Sequence, residues 1–449
     1  MKPASLAELT QISFSRLDGR AGFTFNVDGF RYRASALYHN PPGLRPDVWE
    51  ACLQELALSC LVDVATAGMA KKVQTHGFGP GRYGKLMFRS AAEALRLETV
   101  ADNAQSLSRV AVQIEAEGRA KSINTGIQSS DSRVLVLMGG GKDSLYTYDL
   151  LRRAGYDVQC FYVTEARRTW QQLRRVYGAL NSDVTQHRMF LNINQRSVLD
   201  RKFRQNYASQ FQIGQIIAAS LPYAIANKCR YIALGLERSS DIPMLSYRGR
   251  MVNHQHQKSR AFIRLLNKYF AWRFRGSIQI ISPVYSMYDL GIYARFIRSD
   301  VSLLKLQSSC GGANSYRRHC GQCDKCAFLA LLLAGLSGDR RLYNLLFPVD
   351  PLQNAKLLRQ WLGAGDNRPL TCAGLKEEAR IALHLLRARN WPCAFLRSAE
   401  DHSNAVIAKD ARNFLAVHDN PLVPEIMQQR IRPLLDFPAE TLLALLGES

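Results

Sequence analysis

The segment that most constrains the fold is residues 134–144, Val-Leu-Val-Leu-Met-Gly-Gly-Gly-Lys-Asp-Ser. Its four consecutive aliphatic residues predict a buried parallel strand. The apolar spacing from Leu145 onward predicts a helix that stops at Gly155. A glycine loop between a strand and the N-terminus of a helix exposes backbone N–H groups, which favour a bound phosphate. The sequence therefore predicts a phosphate site at residues 139–144.

Two familiar phosphate-binding motifs do not fit this segment. The Walker motif requires glycine at position 136 and Ser or Thr at 143, where this chain has Val136 and Asp143. The dinucleotide fingerprint requires glycine at 144, where this chain has Ser144. A carboxylate aimed at a polyphosphate is favourable only with a divalent cation between them, so Asp143 predicts bound Mg²⁺.

The segment resembles the Ser-Gly-Gly-x-Asp-Ser loop of the PP-loop ATP pyrophosphatases, which cleave ATP to AMP and pyrophosphate. Gly139 stands where that superfamily usually has serine. The resemblance implies that Lys142 neutralises charge on the transferring phosphates and that the loop after the second strand, at Thr164 and Glu165, contacts adenosine. The predicted ATP-binding residues are Gly139, Gly140, Gly141, Lys142, Asp143, Ser144 and Glu165. The alternative is a plain glycine-rich turn between a strand and a helix.

Apolar runs alternate with helical segments over residues 133–338, which predicts a doubly wound parallel sheet with ligands at the carboxyl ends of its strands. The resemblance to the PP-loop ATP pyrophosphatases implies that this sheet is a PP-loop, HUP-like core. The predicted strands are 134–137, 158–163, 187–193, 231–234 and 278–281, and a long helix is predicted over 209–227. The loops expected to hold the site are 139–144, 164–168, 235–260 and 282–289.

Two further blocks flank this core. Residues 1–120 predict an α+β domain, because 23–33 alternate like a hairpin and 49–69 have helical spacing. The glycine-rich stretch 76–85 is either an anion-binding loop that reaches the active site or a flexible connection. Residues 340–449 are rich in leucine and arginine and predict a helical domain that packs on the core or caps the substrate.

Four of the ten cysteines are clustered, at Cys310, Cys320, Cys323 and Cys326. Short C-x-x-C steps let thiolates converge on one ion, so the cluster predicts a structural tetrahedral zinc site. Incidental thiols and a 4Fe–4S cluster are the alternatives. The start of the chain does not resemble a signal peptide, which together with the cysteines indicates a reducing cytoplasm. No apolar run approaches the ~18 residues of a membrane span.

The net charge of +22 fits two kinds of partner, a nucleic acid or a small polyanionic substrate. Arginine is spread along the whole chain, so the charge does not distinguish between these two kinds of partner.

The glycine loop combined with Cys-Gly-x-Cys-x-x-Cys is similar to the 7-cyano-7-deazaguanine synthases, which are much shorter. The full layout looks more like the ATP-dependent UDP-N-acetylmuramoyl-L-alanyl-L-glutamate epimerases (MurL type). This resemblance implies epimerisation of the terminal L-glutamate through an acyl-adenylate, with release of AMP and pyrophosphate, in peptidoglycan synthesis. It implies ATP, Mg²⁺ and zinc as cofactors, UDP-MurNAc-L-Ala-L-Glu as substrate and no nucleic acid partner.

Inversion at a carbon needs groups that remove and return a proton, and the loop after the fourth strand supplies ionisable side chains. The candidates are Glu237, His254, His256 and Lys258, with Asp241 nearby. Surface or merely hydrogen-bonded histidines are the alternative for both histidines. Two other functions stay open from the sequence, a PP-loop enzyme that modifies a nucleoside or tRNA and a basic RNA-binding protein with a zinc knuckle.

Overall fold

A computed structural model describes residues 6–446, except 68–69, 103–111, 119–120, 165–166, 181–183, 193–211, 310–318, 364–368, 370–372 and 395–403. The strands are β1 (Leu6–Ser15), β2 (Arg20–Val27), β3 (Phe30–Tyr38), β4 (Lys72–His76), β5 (Gln113–Glu117), β6 (Ser130–Leu137), β7 (Asp157–Thr164), β8 (Gln186–Asn192), β9 (Cys229–Ala233), β10 (Leu245–Tyr247), β11 (Arg250–Val252) and β12 (Gln279–Ile281). The helices of the first two thirds are α1 (Pro46–Ala67), α2 (Gly81–Asp102), α3 (Lys142–Arg153), α4 (Arg167–Ala179), α5 (Gln212–Ala226) and α6 (Arg260–Arg273).

The last third of the described chain is helical, as the sequence predicts. Its helices are α7 (Asp289–Ser299), α8 (Val301–Leu306), α9 (Asp324–Ser337), α10 (Arg340–Leu346), α11 (Ala355–Leu362), α12 (Lys376–Ala388), α13 (Asn404–Leu415), α14 (Glu425–Ile431) and α15 (Glu440–Leu445). Short 3-10 turns at 238–241, 256–258, 283–286, 351–353 and 432–435 link several elements.

Ten strands form one mixed sheet in the order β12-β9-β6-β7-β8-β3-β2-β1-β4-β5. The five strands from β12 to β8 are parallel, and each contains or overlaps one of the five predicted strands. β6 pairs with both β7 and β9, so the strand order reverses direction beside it. Such a reversal opens a crevice at the carboxyl ends of the strands. The described part of the predicted long helix is α5.

Helices cover both faces of the parallel strands. Val134 and Val136 pack in one hydrophobic core with Leu145 of α3. Leu135 packs in a second core on the other face with Ile217 of α5. Successive strand residues point to opposite faces, so the uninterrupted aliphatic run of β6 is buried on both sides. This explains why the run is the clearest strand signal in the sequence.

The N-terminal block continues the same sheet. β3 pairs antiparallel with β8, and β2 and β3 form the predicted hairpin with Val27 opposite Phe30. The predicted helix over 49–69 is α1, which packs in the second core with α5 and α6. β1, β4 and β5 are strands that the sequence analysis did not predict. The domain limits 1–120, 133–338 and 340–449 stay predictions, because the blocks share a sheet and its cores.

The glycine-rich stretch 76–85 lies at the opposite edge of the sheet from residues 139–144. Three antiparallel pairings separate β8 from β1, and β4 runs parallel to β1. β4 therefore runs against β6, and the loop that follows it emerges where β6 begins. The interpretation of this stretch as a loop that reaches the active site is wrong.

None of the helices in the described ranges is long and apolar enough to cross a membrane.

Candidate active site

The glycine loop joins β6 to α3 at the carboxyl edge of the sheet. Gly140 has φ of +73°, a left-handed conformation that disfavours other residues. The Ser308 N–H donates to Gly140 O at 2.8 Å, and Ser144 Oγ donates to Gly141 O at 3.1 Å. Gly141 precedes α3 with no side-chain cap, so the first N–H groups of the helix remain available to an anion. The predicted strand, loop and helix are all present.

The chain after β9 passes directly against the first turn of α3. A Cβ atom at Gly235 would lie 2.5 Å from the carbonyl carbon of Asp143, so only glycine fits there. This approach carries Glu237, two residues later, toward Asp143. The sequence marks Gly235 as the end of a strand but does not reveal this contact.

A cavity of about 310 Å³ opens over the loop, between the ends of β6, β7 and β9. Aliphatic and aromatic side chains form part of its walls, and the polar lining residues outside the loop are Lys258, Ser308, Ser309 and Lys325. Its lining residues are Leu137, Met138, Gly139, Gly141, Asp143, Ser144, Phe161, Val163, Ile213, Ile216, Leu234, Gly235, Leu236, Lys258, Ser308, Ser309 and Lys325. A cavity that combines apolar walls with hydroxyl groups, two lysines and the exposed N–H groups of the loop suits a small ligand that carries negative charge.

Lys142 points into the protein and forms ion pairs with Asp143 and Asp289. Its side chain is 4% exposed, as is that of Asp289, whereas that of Asp143 is 27% exposed. Asp289 also accepts a hydrogen bond from Ser239 Oγ at 2.9 Å. Burial lowers the pKa of Lys142, but the carboxylates of Asp143, Asp289 and Glu237 outweigh burial and hold it above its usual value. Lys142 is therefore a fixed positive charge at the start of α3.

Glu237 is a buried carboxyl group beside this pair. Its Oε1 lies 3.7 Å from Lys258 Nζ, and within the described chain its Oε2 has no hydrogen-bond partner. Burial, reinforced by the charges of Asp289 and Asp143, raises the pKa of Glu237 to about 7, although Lys258 and Lys142 oppose the rise. A carboxyl group in this state both accepts and releases a proton near neutral pH.

The four acid/base candidates separate into two pairs. Lys258 Nζ donates to Gln255 Oε1 at 2.9 Å and lines the cavity together with the glycine loop. His254 instead pairs through Nδ1 with Glu98, and His256 Nε2 lies 3.0 Å from Ser90 Oγ. Both histidines therefore contact α2 rather than the loop. Burial also lowers the pKa of His256.

Three of the four predicted zinc ligands lie together. The Sγ atoms of Cys320, Cys323 and Cys326 are within 4.8 Å of one another, and Cys320 Sγ is 3.8 Å from Cys326 Sγ. Three converging thiolates could hold a metal ion, and their chemistry is consistent with zinc. Cys310 and Glu165 lie outside the described residues. Thr164, the other residue expected near adenosine, donates from its hydroxyl to Met189 O at 3.4 Å.

The cysteine segment also borders the cavity. Lys325 lies between Cys323 and Cys326 in sequence and lines the cavity, and Ser309 approaches Gly141. The sequence does not predict these contacts, because its only signal for Lys325 is a positive charge next to the thiolates. Asp289 lies in one of the loops expected to hold the site, 282–289. No nearby residue in the sequence predicts its ion pair with Lys142.

Two family models match the chain. The MurL N-terminal domain matches residues 98–282, and the MurL C-terminal domain matches residues 308–413. Together the two matches span well over half of the chain. The chain belongs to the MurL family. The N-terminal MurL match contains the glycine loop, Glu237 and Lys258, the C-terminal match contains the cysteines, and Asp289 lies between the two matches.

Three curated relatives are each named UDP-N-acetyl-alpha-D-muramoyl-L-alanyl-L-glutamate epimerase. The protein of a Micromonospora species is 28% identical over 270 residues, 58% of this chain and 58% of the relative. That of Xanthomonas oryzae pv. oryzae is 25% identical over 400 residues, 83% of this chain and 78% of the relative. That of Salinispora tropica is 27% identical over 279 residues, 58% of this chain and 57% of the relative. The chain therefore spans less than two thirds of two of these MurL relatives.

Proposed function

We propose that this chain epimerises the terminal L-glutamate of UDP-N-acetylmuramoyl-L-alanyl-L-glutamate to D-glutamate in peptidoglycan synthesis, at the expense of ATP. The observation that carries the proposal is the juxtaposition of a phosphate-type loop with a buried carboxyl group of pKa about 7, in a chain with both MurL domains. The names of the three relatives support this choice of substrate.

The chemistry explains why such a reaction would consume ATP. Removing the α-proton next to a free carboxylate is very slow, because the product would carry two negative charges on adjacent oxygens. Transfer of AMP to that carboxylate removes its charge and lets it accept the electron pair of the broken C–H bond. The α-proton then becomes accessible to an ordinary side-chain base.

The loop at 139–144 is the proposed ATP site, of the PP-loop ATP pyrophosphatase type. A carboxylate oxygen of the substrate attacks the α-phosphorus of ATP. The bond from that phosphorus to the bridging oxygen of pyrophosphate breaks, and pyrophosphate leaves with the electron pair. The loop N–H groups and Ser144 would hold phosphate oxygens, and Lys142 would offset their charge. Water finally cleaves the acyl–phosphate bond and releases AMP.

Asp143 is the proposed magnesium ligand. It is the most exposed member of the ion-paired set and lines the cavity, whereas Lys142 and Asp289 are buried behind it. A bound Mg²⁺ would neutralise phosphate charge at the start of the reaction. We also propose that Cys310 completes the zinc site of Cys320, Cys323 and Cys326, in a structural role.

Glu237 is the proposed acid/base group on one face of the reacting carbon. Its unpartnered Oε2 and its pKa near neutrality suit proton transfer. Lys258 is in direct contact with it, and a separation of 3.7 Å leaves no room for a carbon atom between the two groups. Lys258 is therefore proposed to tune Glu237 and to bind substrate charge, rather than to serve the opposite face.

The test is a product assay with ATP, Mg²⁺ and UDP-N-acetylmuramoyl-L-alanyl-L-glutamate in D₂O. The glutamate released by acid hydrolysis should be predominantly D, should carry deuterium at Cα, and should form together with AMP and pyrophosphate. Omission of ATP, or its replacement by an α,β-non-cleavable analogue, should stop both exchange and inversion. Formation of ADP and phosphate, or inversion without deuterium, would contradict the proposed route.

The net charge of +22 is also compatible with a second candidate, a PP-loop enzyme that modifies a nucleoside or tRNA in the manner of 7-cyano-7-deazaguanine synthase. We instead assign the charge to a diphosphate- and carboxylate-bearing small substrate, with no nucleic acid partner. ATP consumption on carboxydeazaguanine, or an RNA complex stable in about 0.5 M salt, would favour the second candidate. We place the reaction in the reducing cytoplasm, where thiolates stay free to bind metal.

A further inference from the structure

Asp289 has several partners and is buried beside the start of α3, which follows the glycines of the loop at 139–144. One carboxylate oxygen pairs with Lys142, and the other accepts from Ser239 Oγ at 2.9 Å. Asp289 is also the first residue of α7, where the helix dipole favours a negative charge. Its side chain is 4% exposed and is not among the residues that line the cavity, whereas Asp143 is, so a ligand there would touch Asp143 before Asp289.

The C-terminal helical region fixes the backbone at this position. Glu378, in the first turn of α12, is fully buried. Its Oε1 accepts from the N–H of Leu290 at 2.7 Å, and its Oε2 accepts from the N–H of Leu375 at 2.8 Å. One carboxyl group therefore ties the start of α12 to the start of α7, one residue after Asp289. Two hydrogen bonds from backbone donors hold a side chain rigidly.

Lys142 is shared between two carboxylates with different surroundings. Asp143 faces the cavity, where it would serve a magnesium ion, and Asp289 does not. An ammonium group bound to Asp143 alone would compete directly with a cation for that carboxylate. A second buried partner removes this competition, because it retains Lys142 when Asp143 turns to the metal.

We propose that Asp289, supported by Glu378, is a positioning residue that holds Lys142 in place and so frees Asp143 to bind the metal of Mg·ATP. This inference rests on the proposed ATP site. It gives the C-terminal helical region a part in the site: through Glu378 it sets the position of the lysine in the glycine loop.

The experiment measures equilibrium binding of α,β-methylene-ATP by calorimetry at low and high Mg²⁺, with the full-length chain. In Asp289→Asn the dissociation constant at low Mg²⁺ should rise by about tenfold, which corresponds to about 1.4 kcal/mol. High Mg²⁺ should restore it to near the wild-type value, because metal then outcompetes the freed lysine. Asp289→Glu keeps the carboxylate, so its dissociation constant at low Mg²⁺ should lie between those of the wild type and Asp289→Asn.

The matched control is Asp300→Asn. Asp300 also stands at the start of a helix and accepts from the N–H groups of Ser302 and Leu303, but it has no contact with Lys142 in the described structure. The Asp300→Asn variant should bind α,β-methylene-ATP as the wild type does at every Mg²⁺ concentration. Glu378→Gln should weaken binding in the same magnesium-dependent way, by about threefold, with thermal unfolding as the check that it folds.

Two results would overturn the inference while leaving the proposed function standing. The first is wild-type binding of the analogue by Asp289→Asn at low Mg²⁺. The second is weakened binding that added Mg²⁺ does not restore, since a general structural defect would behave in that way. Absence of binding by the wild-type chain would instead refute the ATP site itself.

Discussion

Two buried charge clusters in this molecule differ in whether both oxygens of their glutamate have a hydrogen-bond partner. Glu55 of α1 accepts from Tyr269 Oη at 2.7 and 2.8 Å and from Arg273 Nε at 2.8 Å. Arg273 also donates to Gln54 Oε1 at 2.7 Å. At the glycine loop, by contrast, Glu237 keeps an unpartnered oxygen within the described structure.

The comparison separates a structural cluster from a reactive one. The Glu55 cluster joins α1 to α6 and uses both carboxylate oxygens, so it has no capacity left for a ligand. The Glu237 cluster lies beside a cavity and has both an unpartnered acceptor and a carboxyl group whose pKa of about 7 lets it change charge near neutral pH. A buried charge is costly, and an incompletely satisfied one persists in a fold mainly where function requires it. Burial alone does not distinguish the two glutamates, because both are about 2% exposed.

The largest expected effect is the loss of ATP chemistry in Asp143→Asn. The amide retains the size of the side chain but loses the charge that a metal requires, so kcat should fall by about 10³-fold or more. The free energy of unfolding should change by less than about 1 kcal/mol, because Asp143 is partly exposed. Steady-state kinetics and urea unfolding measure the two quantities, and a variant with full activity would refute the metal role.

Glu237→Gln should lower kcat by about 10²- to 10³-fold, the usual contribution of a positioned acid/base group. Exchange of the substrate α-proton with D₂O should fall by the same factor, whereas AMP formation should continue if adenylation precedes proton transfer. Equal loss of both activities would place Glu237 in ATP binding instead.

Glu55→Gln is the matched control, since it makes the same chemical change at an equally buried glutamate. It should lower the free energy of unfolding by about 3 kcal/mol, because Arg273 loses its buried counter-charge. The activity of the folded fraction should stay within about twofold of wild type. Chemical denaturation with parallel activity assays tests both. A large loss of activity in this variant would remove the proposed distinction between the clusters.

Loss of metal from the cysteine cluster should act mainly on stability. Cys323→Ser should lower the melting temperature and leave substantially less than one zinc per chain by elemental analysis, since a structural metal contributes its binding energy to folding. The ATP dissociation constant of the folded protein should rise by about threefold at most, through Lys325 at the edge of the cavity. Full stability without any metal would refute the zinc site.

A pH dependence is expected of the wild-type enzyme, without any substitution. If Glu237 acts as a base, kcat/KM should rise about tenfold between pH 6 and pH 8, as a group of pKa about 7 loses its proton. Its contribution to stability has the opposite sign: the raised pKa favours the folded state below the usual value of 4.5, and this advantage is lost as pH rises through about 7. Glu55→Gln should keep this kinetic profile, and Glu237→Gln should abolish it.

Several features of the site were predictable because neighbours in sequence create them. The aliphatic run before the glycines specifies β6, and the glycines and the start of α3 follow within a few residues. The spacing of Cys320, Cys323 and Cys326 alone brings three sulfurs together. Family membership follows the same motifs, since the resemblance rests on the glycine loop and the cysteines, and both MurL domain models match.

Other features depended on contacts between distant segments. His254 and His256 have the composition of acid/base residues, but α2 supplies Glu98 and Ser90 and turns both away from the loop. The stretch 76–85 has the composition of an anion-binding loop, but the strand order places it near the far edge of the sheet, and three antiparallel pairings turn it to the end where β6 begins.

The sequence by itself determined the local chemistry of this protein: a strand, a glycine loop with Lys142 and Asp143, and a row of thiols. Only the tertiary structure decided which charges meet, because a side chain's pKa and partners depend on what packs against it in space. Asp289 is 147 residues from Lys142 along the chain, yet it shares that lysine with Asp143. Short-range spacing specifies an element, whereas burial beside distant charges gives a residue such as Glu237 its reactivity.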